Sequence, residues 1–256
     1  MPRTYVMPYS MGSLSARRLA AGLGARLLSH GDTTYRPERG DVIINWGCSK
    51  VPVWYFNEGF ELLNNHDVVN RAINKLDTLT ILARECVPAP VFTTDRAGAA
   101  VWLNNGHKVV ARLTNDGSNG RGARVLSGPC SPNQVPEAPL YTKHIPIHRE
   151  FRVDYLGGIL VWEARKVRRA GRQCDPDIRT YDNGWLYNVS DPQVPYRARE
   201  VANQTITALG LDFGAVDIIE TSVGECYALE VNTAPGAGPA ETRAWVRAFQ
   251  QYLERN

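Results

Sequence analysis

The sequence predicts an α/β protein, of the α+β type, that is divided into lobes at residues 1–65, 66–142 and 143–256. Three observations support this prediction. A strand, a helix and a strand follow one another at the N-terminus, a glycine-rich segment separates two strands in the middle, and the second half is rich in strands. A chain of 256 residues is long enough for one large core or for two to three small lobes.

Composition argues against several classes of protein. No apolar run approaches the roughly 20 residues that cross a bilayer, and the start lacks a basic segment followed by an apolar one, so we expect neither a membrane span nor a signal peptide. The five cysteines are scattered and form no CxxC pair. This pattern argues against a disulfide framework or a zinc site, and it favours a reducing cytoplasm.

The first elements predict a small α/β lobe. Residues 5–7 are expected to form a short strand, and residues 14–23 a helix that follows a polar turn. Residues 41–46 are apolar without alternation, which is typical of a strand buried on both faces.

The second lobe begins with a helical stretch and continues with two strands. Asp67 is a good helix cap, and apolar residues then recur at three- and four-residue steps. The Val-Pro-Ala-Pro segment at 87–90 stops the helix, because a residue before proline avoids the helical conformation. Strands are expected at 108–113 and 123–126.

The last lobe is predicted to be rich in strands. Residues 151–156 and 159–167 flank a Gly-Gly pair, which is a strong signal for a two-residue hairpin. Two further strands at 213–220 and 227–231 are expected to pair, and the chain ends in an amphipathic helix.

The glycine-rich segment lies between two predicted strands. It is not a P-loop, because no Gly-Lys-Ser/Thr follows, and it is not a dinucleotide-binding fingerprint, because a strand follows it. A hairpin of this kind can fold over a triphosphate as a lid that offers backbone N–H groups to phosphate oxygens. The alternative is an ordinary flexible hairpin. The segment consists of Gly117, Ser118, Asn119, Gly120, Arg121 and Gly122.

Two carboxylates and an amide are predicted to meet on paired strands. Asp217 lies in an otherwise apolar strand, and Glu230 and Asn232 share one face of the next strand. If the strands pair across the turn at 221–226, Asp217 lies opposite Glu230. Neighbouring like charges repel unless a cation lies between them, and such oxygen ligands suit Mg²⁺ bound together with nucleotide phosphates. The alternative is that Asp217 pairs with a cationic side chain.

The Gly-Gly hairpin carries charges on one face. A two-residue turn places Arg152 opposite Glu163 and Glu150 opposite Arg165, an arrangement that a solvated sheet face would also show. A basic run begins on the second strand, and it suits either solvent or an anionic ligand such as a triphosphate, an acyl phosphate or a nucleic-acid backbone. The run comprises Arg165, Lys166, Arg168, Arg169 and Arg172.

In this order, the motifs resemble the ATP-grasp superfamily, in particular its RimK-like ligases and related bacteriophage-encoded proteins. The most specific stretches are Gly-Leu-Asp-Phe-Gly-Ala-Val-Asp at 210–217 and Leu-Glu-Val-Asn-Thr-Ala-Pro-Gly at 229–236. Asn-Lys-Leu at 74–76 is similar to the family's Asp-Lys segment at a helix start. The resemblance covers residues 62–236, and it implies two α+β lobes that clasp ATP, preceded by a short α/β lobe.

The resemblance implies ligands for nucleotide phosphates and metal. Asp217, Glu230 and Asn232 match the family's Mg²⁺ ligands, and two ions are expected. Lys75 matches a phosphate-binding lysine. Arg112 stands where the family usually has lysine, which keeps the positive charge but changes its geometry from a point to a planar fork.

The resemblance also implies contacts with adenine and ribose. Residues 141–145 resemble the hinge whose backbone pairs with adenine, which makes Lys143, His144 and Ile145 candidates, although the family often has an acidic residue in place of Lys143. Glu150 matches the acid that binds ribose hydroxyls.

Three basic residues of the hairpin are candidate catalytic residues. Arg152 matches an arginine of the family without an assigned role. RimK-like members place a further arginine on the returning strand of the hairpin. Spacing favours Lys166 for this position, whereas strand parity favours Arg165, and both stay open.

The function implied by the resemblance is that of an ATP-dependent carboxylate–amine ligase. A substrate carboxylate attacks the γ-phosphate of ATP, and an amine then displaces phosphate from the acyl phosphate. The alternatives are a kinase-like ATP-grasp phosphotransferase and a nucleotide-binding module without ligase chemistry. The expected partners are a small-molecule carboxylate and amine. The acceptor is an amino acid or peptide or, because Tyr181, Trp185 and Tyr187 follow the basic run, a modified base of nucleic acid.

Overall fold

The computed structural model describes residues 3–55, 59–115 and 122–255, and in these ranges the strands assemble into three sheets. Each sheet is built from one consecutive part of the chain, which confirms the predicted α/β class. Within the described residues, no helix combines the length and the apolar character that a membrane span requires.

The first sheet lies in the N-terminal lobe and is parallel. Its elements are β1 (Thr4–Pro8), α1 (Leu14–Leu23), β2 (Arg26–Leu27), β3 (Val42–Trp46) and β4 (Glu61–Leu63). The strand order is β2-β1-β3-β4, so the two strands predicted from the sequence are the central ones. The hydroxyl of Ser13 accepts a hydrogen bond from the N–H of Ala16 and caps α1, which ends at Gly24 in the left-handed conformation (φ 63°) that glycine adopts readily.

The helical stretch predicted after this lobe is two helices. They are α2 (His66–Ile73) and α3 (Lys75–Arg84). Asn65, and not Asp67, caps the first helix. Asn74 has an extended backbone (ψ 109°), and its side chain accepts bonds from two N–H groups of the next turn. It therefore ends one helix and begins the next, at Lys75.

The second sheet is antiparallel and carries the glycine-rich segment. Its elements are β5 (Phe92–Thr93), α4 (Arg96–Asn104), β6 (Val109–Arg112), β7 (Ala123–Leu126) and β8 (Leu140–Lys143), with a 3-10 turn at Pro132–Gln134. The strand order is β5-β8-β6-β7. The predicted strands β6 and β7 flank the glycine-rich segment, of which residues 117–121 lie outside the described ranges.

The third sheet is antiparallel and forms the C-terminal lobe. Its elements are β9 (Arg149–Leu156), β10 (Ile159–Arg168), β11 (Trp185–Asn188), α5 (Tyr196–Leu209), β12 (Phe213–Glu220), β13 (Cys226–Asn232) and α6 (Pro239–Arg255). The strand order is β11-β10-β9-β12-β13. Both predicted hairpins, β9–β10 and β12–β13, are present, and β12 lies between β9 and β13.

Two hydrophobic clusters join these parts. In one, side chains of α2, α3 and α5 pack against a face of the third sheet. In the other, Trp46 of the first lobe stacks on Phe213 at a centroid distance of 5.6 Å and meets the edge of Trp245 of α6 at 5.5 Å. Because helices assigned to the second lobe share a core with the third sheet, the lobe boundaries at residues 65 and 142 stay predictions.

Candidate active site

A cavity of about 960 Å³ lies between the second and third sheets. This volume is at the upper end of the range of about 300–1,000 Å³ that is typical of small-molecule and cofactor sites. Charged side chains of both signs and apolar side chains from both sheets line it. The charged ones are Lys75, Arg112, Lys143, Glu150, Arg152, Lys166, Asp177, Arg179, Asp217 and Glu230.

Most predicted site residues lie in the wall of this cavity. Among those that the structure describes, Arg165 and Gly122 are absent from the wall. Gly122 closes the β6–β7 hairpin instead, because its carbonyl accepts a 2.7 Å hydrogen bond from the N–H of Leu113. Its backbone has a φ of 72°, which favours glycine. The predicted contacts of residues 117–121 lie outside the described residues.

The predicted pairing of Asp217 with Glu230 is present in the strand register. Asp217 on β12 lies directly opposite Glu230 on β13, and Asn232 lies further along the same strand. Asp217 is 6% exposed, whereas Glu230 and Asn232 are half-buried. Nδ2 of Asn232 is buried and has no hydrogen-bond partner within the described part of the chain. This amide therefore has bonding capacity left in a cavity that it lines.

Asp217 also pairs with a cationic side chain, as the alternative interpretation expected. Arg152 lies opposite it on β9 and donates two hydrogen bonds, from Nε to Oδ1 (2.8 Å) and from Nη2 to Oδ2 (3.0 Å). Burial alone would raise the pKa of Asp217, but the positive charges of Arg152 and Lys166 outweigh burial and lower it. The carboxylate is therefore ionised at neutral pH, the form that a metal ion requires.

Two cations from the second lobe approach Glu230. Nζ of Lys75, at the start of α3, lies 3.4 Å from Oε1 of Glu230. Arg112 ends β6, and burial lowers its pKa while the negative charge of Glu230 raises it. Nε of Arg112 is buried without a hydrogen-bond partner among the described residues. Because a guanidinium keeps its charge in proteins, Arg112 is a cation with unused donors beside the cavity.

The predicted cross-strand pairs of Arg152 with Glu163 and of Glu150 with Arg165 are wrong. A β-bulge early in β10 shifts the register by one residue, so that Arg152 lies opposite Ala164. Because side chains alternate along a strand, a shift of one residue moves each later side chain to the other face of the sheet. The parity derived from an unbroken hairpin therefore fails beyond the bulge.

The shift brings Lys166 into the cavity and leaves Arg165 outside its wall. Nζ of Lys166 donates to the carboxylate of Glu150 and to the carbonyl of Arg179 (2.8 Å). Glu150 is 2% exposed, which excludes a solvated sheet face at this position. Burial raises the pKa of Glu150, and the charge of Lys166 opposes this effect. Lys166, which the spacing favours, therefore lines the cavity, whereas Arg165, which strand parity favours, does not.

The predicted hinge runs along the end of β8. The N–H of Lys143 donates to the carbonyl of Val91 (2.8 Å), and that of His144 donates to the carbonyl of Lys108 (3.0 Å). Both donors are thus used within the second lobe. The N–H of Ile145 and the carbonyls of residues 143–145, which follow the paired part of β8, are the remaining candidates for contact with an adenine edge.

One wall of the cavity was missed by the sequence reasoning, namely the segment between β10 and β11. Asp177 in this segment accepts a hydrogen bond from Nζ of Lys108 (2.7 Å) and lies 3.1 Å from Nε2 of His144, so it ties the segment to the second lobe. Burial lowers the pKa of His144, although the carboxylate opposes this effect. The basic run and the aromatic residues after it were the available signal, for which a contact with nucleic acid is one of the interpretations that the sequence leaves open.

Solved structures with known folds match this architecture over nearly its whole length. ATP-grasp ligase PsnB, in complex with a minimal precursor, superimposes with a TM-score of 0.71 at 14% identity and covers 99% of both chains. The D-alanine–D-alanine ligase from Bacillus anthracis gives a TM-score of 0.66 at 14% identity over 97% of this chain and 93% of its own. The protein has the ATP-grasp fold. A RimK-domain ATP-grasp protein from Sphaerobacter thermophilus gives a TM-score of 0.64 at 15% identity, over 97% of this chain and 98% of its own.

Curated proteins that this chain resembles are named as ligases. A probable alpha-L-glutamate ligase from Serratia proteamaculans is 27% identical over 198 residues, which are 72% of this chain and 64% of the relative. A tetrahydromethanopterin:alpha-L-glutamate ligase from Methanocaldococcus jannaschii is 28% identical over 200 residues, 71% of this chain and 65% of the relative. The chain thus spans slightly less than two thirds of both relatives. No protein-family model matches it. The resemblance to RimK-like ATP-grasp ligases is confirmed by these similarities.

Proposed function

We propose that the protein is an ATP-dependent carboxylate–amine ligase that forms an amide through an acyl phosphate and releases ADP and phosphate. The observation that carries the proposal is the cavity in which Lys75, Arg112 and Lys166 surround the facing carboxylates of Asp217 and Glu230. The similarity to ligases of the ATP-grasp fold supports it.

The polar groups of the cavity fit Mg²⁺ together with a triphosphate. Asp217, Glu230 and Asn232 offer hard oxygen ligands, and Nδ2 of Asn232, a donor without a partner among the described residues, suits a phosphate oxygen. Among the described residues, no group of three or more His, Cys, Asp or Glu side chains could hold a metal ion alone. Asp217, Glu230 and Asn232 would leave positions around Mg²⁺ for nucleotide phosphates and water. When bound, Mg²⁺ would neutralise charge on the phosphates, and we expect two ions.

The cations and the buried acid have complementary tasks in this proposal. Lys75, Arg112 and Lys166 bind phosphate oxygens, where their fixed positive charges stabilise the negative charge of the transferred group. Oε2 of Glu150 is buried without a hydrogen-bond partner among the described residues, so it is ready to accept a bond from a ribose hydroxyl. The backbone around Ile145 contacts adenine.

The acceptor that we propose is an amine of a small molecule or a peptide. Relatives are named as glutamate ligases, and PsnB was solved with a precursor peptide. Two of the aromatic residues that suggested nucleic acid are engaged within the protein: Trp185 is 5% exposed and donates from Nε1 to the carbonyl of Asp175 (2.8 Å), and the hydroxyl of Tyr187 donates to Asp217. A nucleic-acid acceptor, a phage origin and a cytoplasmic location stay predictions.

The test of the proposal is ADP release from Mg-ATP, measured in a coupled assay with a panel of amino acids and peptides, with and without single-stranded DNA. ADP release that requires both a carboxylate and an amine is the expected result. Release that requires an alcohol acceptor and no amine would instead indicate a phosphotransferase. Nucleotide binding without turnover under every condition would indicate a non-catalytic module.

A further inference from the structure

Tyr187 is a third side chain, beside Arg152, that determines how Asp217 is held. It lies on β11, opposite Lys166 of β10, and so on the cavity face that the β-bulge creates. Its hydroxyl donates a 3.1 Å hydrogen bond to Oδ1 of Asp217. Its ring also contacts two cations: the guanidinium of Arg152 lies 4.5 Å from the ring centroid, and Nζ of Lys166 lies 5.2 Å from it.

The hydrogen bonds to Asp217 leave its two oxygens in different states. A carboxylate has about four lone-pair sites, two on each oxygen. Oδ1 accepts from Nε of Arg152 and from the hydroxyl of Tyr187, which fills both of its sites. Oδ2 accepts from Nη2 of Arg152, which leaves one site open among the bonds that the described residues make. Rotation of the carboxylate would break the bond from Tyr187, so the open site points in one direction.

We propose that Tyr187 is a positioning residue of the metal site, which locks Asp217 so that Oδ2 is presented to Mg²⁺. The inference rests on the proposed function, because it concerns the same site. The hydroxyl and the ring have separate tasks. The hydroxyl occupies Oδ1, and the ring keeps the cationic groups of Arg152 and Lys166 directed at the cavity, where cation–π contacts of this length are favourable.

These tasks can be separated by two substitutions in the full chain. Tyr187→Phe keeps the ring and removes the hydroxyl, whereas Tyr187→Leu removes both. Tyr227→Phe is the matched control, because Tyr227 lies on β13 of the same sheet, outside the cavity wall, and its hydroxyl donates to a different carboxylate, that of Glu225 (3.0 Å). Binding of the ATP analogue AMPPNP is measured by calorimetry without Mg²⁺ and across a titration of MgCl₂, and each apo variant is checked by thermal unfolding.

For Tyr187→Phe, we expect the dependence of AMPPNP binding on Mg²⁺ to change, and AMPPNP binding without Mg²⁺ to stay the same. Tyr187→Phe should need about tenfold more Mg²⁺ for half-maximal enhancement of AMPPNP binding, since loss of a partner behind a metal ligand costs about 10–100-fold in metal affinity. Its Mg²⁺-free affinity should match that of the wild type. Tyr187→Leu should also weaken Mg²⁺-free binding severalfold, and Tyr227→Phe should behave as the wild type.

Two outcomes would overturn the inference. Wild-type Mg²⁺ dependence in Tyr187→Phe would show that the hydroxyl does not orient Asp217. An equal loss with and without Mg²⁺ would show a merely structural role. If the wild-type protein binds no AMPPNP at any Mg²⁺ concentration, the proposed function fails, and the inference fails with it. The wild-type titration shows this before any variant is compared.

Discussion

Replacing Arg152 with methionine should destabilise the protein through the carboxylate that Arg152 holds. The side chains of Arg152 and Asp217 are 14% and 8% exposed, and two hydrogen bonds join them. Methionine keeps much of the length and apolar surface but removes the charge. Asp217 then stays buried, with the hydroxyl of Tyr187 as its remaining hydrogen-bond donor among the described residues. Leaving one member of a buried ion pair alone costs about 3–5 kcal/mol.

The loss of unfolding free energy in Arg152→Met should depend on pH in a defined direction. In the wild type, burial raises the pKa of Asp217. The charges of Arg152 and Lys166, together with the hydrogen bonds from Arg152 and Tyr187, more than offset this effect, so the pKa is lowered. A carboxyl group with a lowered pKa contributes stability above its unfolded pKa of about 4, and this stability is lost as the pH falls through the folded value. In Arg152→Met, we expect burial to outweigh the remaining effects of Lys166 and Tyr187 and to raise the pKa of Asp217 above the unfolded value. The variant therefore has a lower free energy of unfolding than the wild type while Asp217 is ionised, and this difference shrinks as the pH falls.

Urea unfolding, followed by tryptophan fluorescence at several pH values, measures this difference. The variant should lose about 3–5 kcal/mol near neutral pH and markedly less near pH 4. The double variant Arg152→Met/Asp217→Asn is the control: it removes both charges, so it should be more stable at neutral pH than Arg152→Met alone. A loss below about 1 kcal/mol that does not change with pH would match an exposed ion pair and would refute the reasoning.

Three further predictions concern the cavity. Glu230→Gln keeps the shape of a side chain opposite Asp217, so circular dichroism should be unchanged while ADP release falls to background; retained turnover would contradict the metal assignment. Lys166→Gln should raise the KM for ATP about tenfold or more, because it removes a charged contact with phosphate. Arg165→Gln should leave the KM unchanged, because Arg165 is absent from the cavity wall. Equal effects of the two substitutions would argue against the bulged register. Asp177→Asn removes an ion pair with the second lobe, so trypsin should cut between β10 and β11 faster in this variant. The control is Asp182→Asn, because Asp182 is exposed in the same segment. Equal cleavage rates in the two variants would show that the ion pair does not hold the segment.

The sequence was sufficient for those features that depend on local pattern. The Gly-Gly pair and the alternation beside it predicted the β9–β10 hairpin, because few residues other than glycine suit such a turn. The pairing of Asp217 with Glu230 was predicted from side-chain parity across a turn at 221–226. The strands instead pair from Glu220 with Cys226, and a bulge between Asp217 and Ile218 restores the predicted pair. The start of α3 at Lys75 was recognised from the similarity of Asn-Lys-Leu to a family motif.

Features that depend on a single inserted residue or on distant contacts could not be derived. The bulge in β10 adds one residue without a glycine or proline to mark it, and it reverses the facing of Arg165 and Lys166. The pairing of Asp217 with Arg152 depends on β12 lying beside β9, which is a choice between strands far apart in the chain. The ion pair of Asp177 with Lys108 likewise joins residues that are far apart in the sequence, and no periodic pattern relates them.

The acyl phosphate mechanism is tested most directly by following the oxygen atoms of the donor carboxylate. With a substrate pair that supports ADP release, the carboxylate is labelled with ¹⁸O, and the released phosphate is analysed by phosphorus NMR. Attack of the carboxylate on the γ-phosphate, followed by attack of the amine on the carbonyl carbon, leaves one labelled oxygen in each phosphate. Amide formation accompanied by unlabelled phosphate would contradict the mechanism.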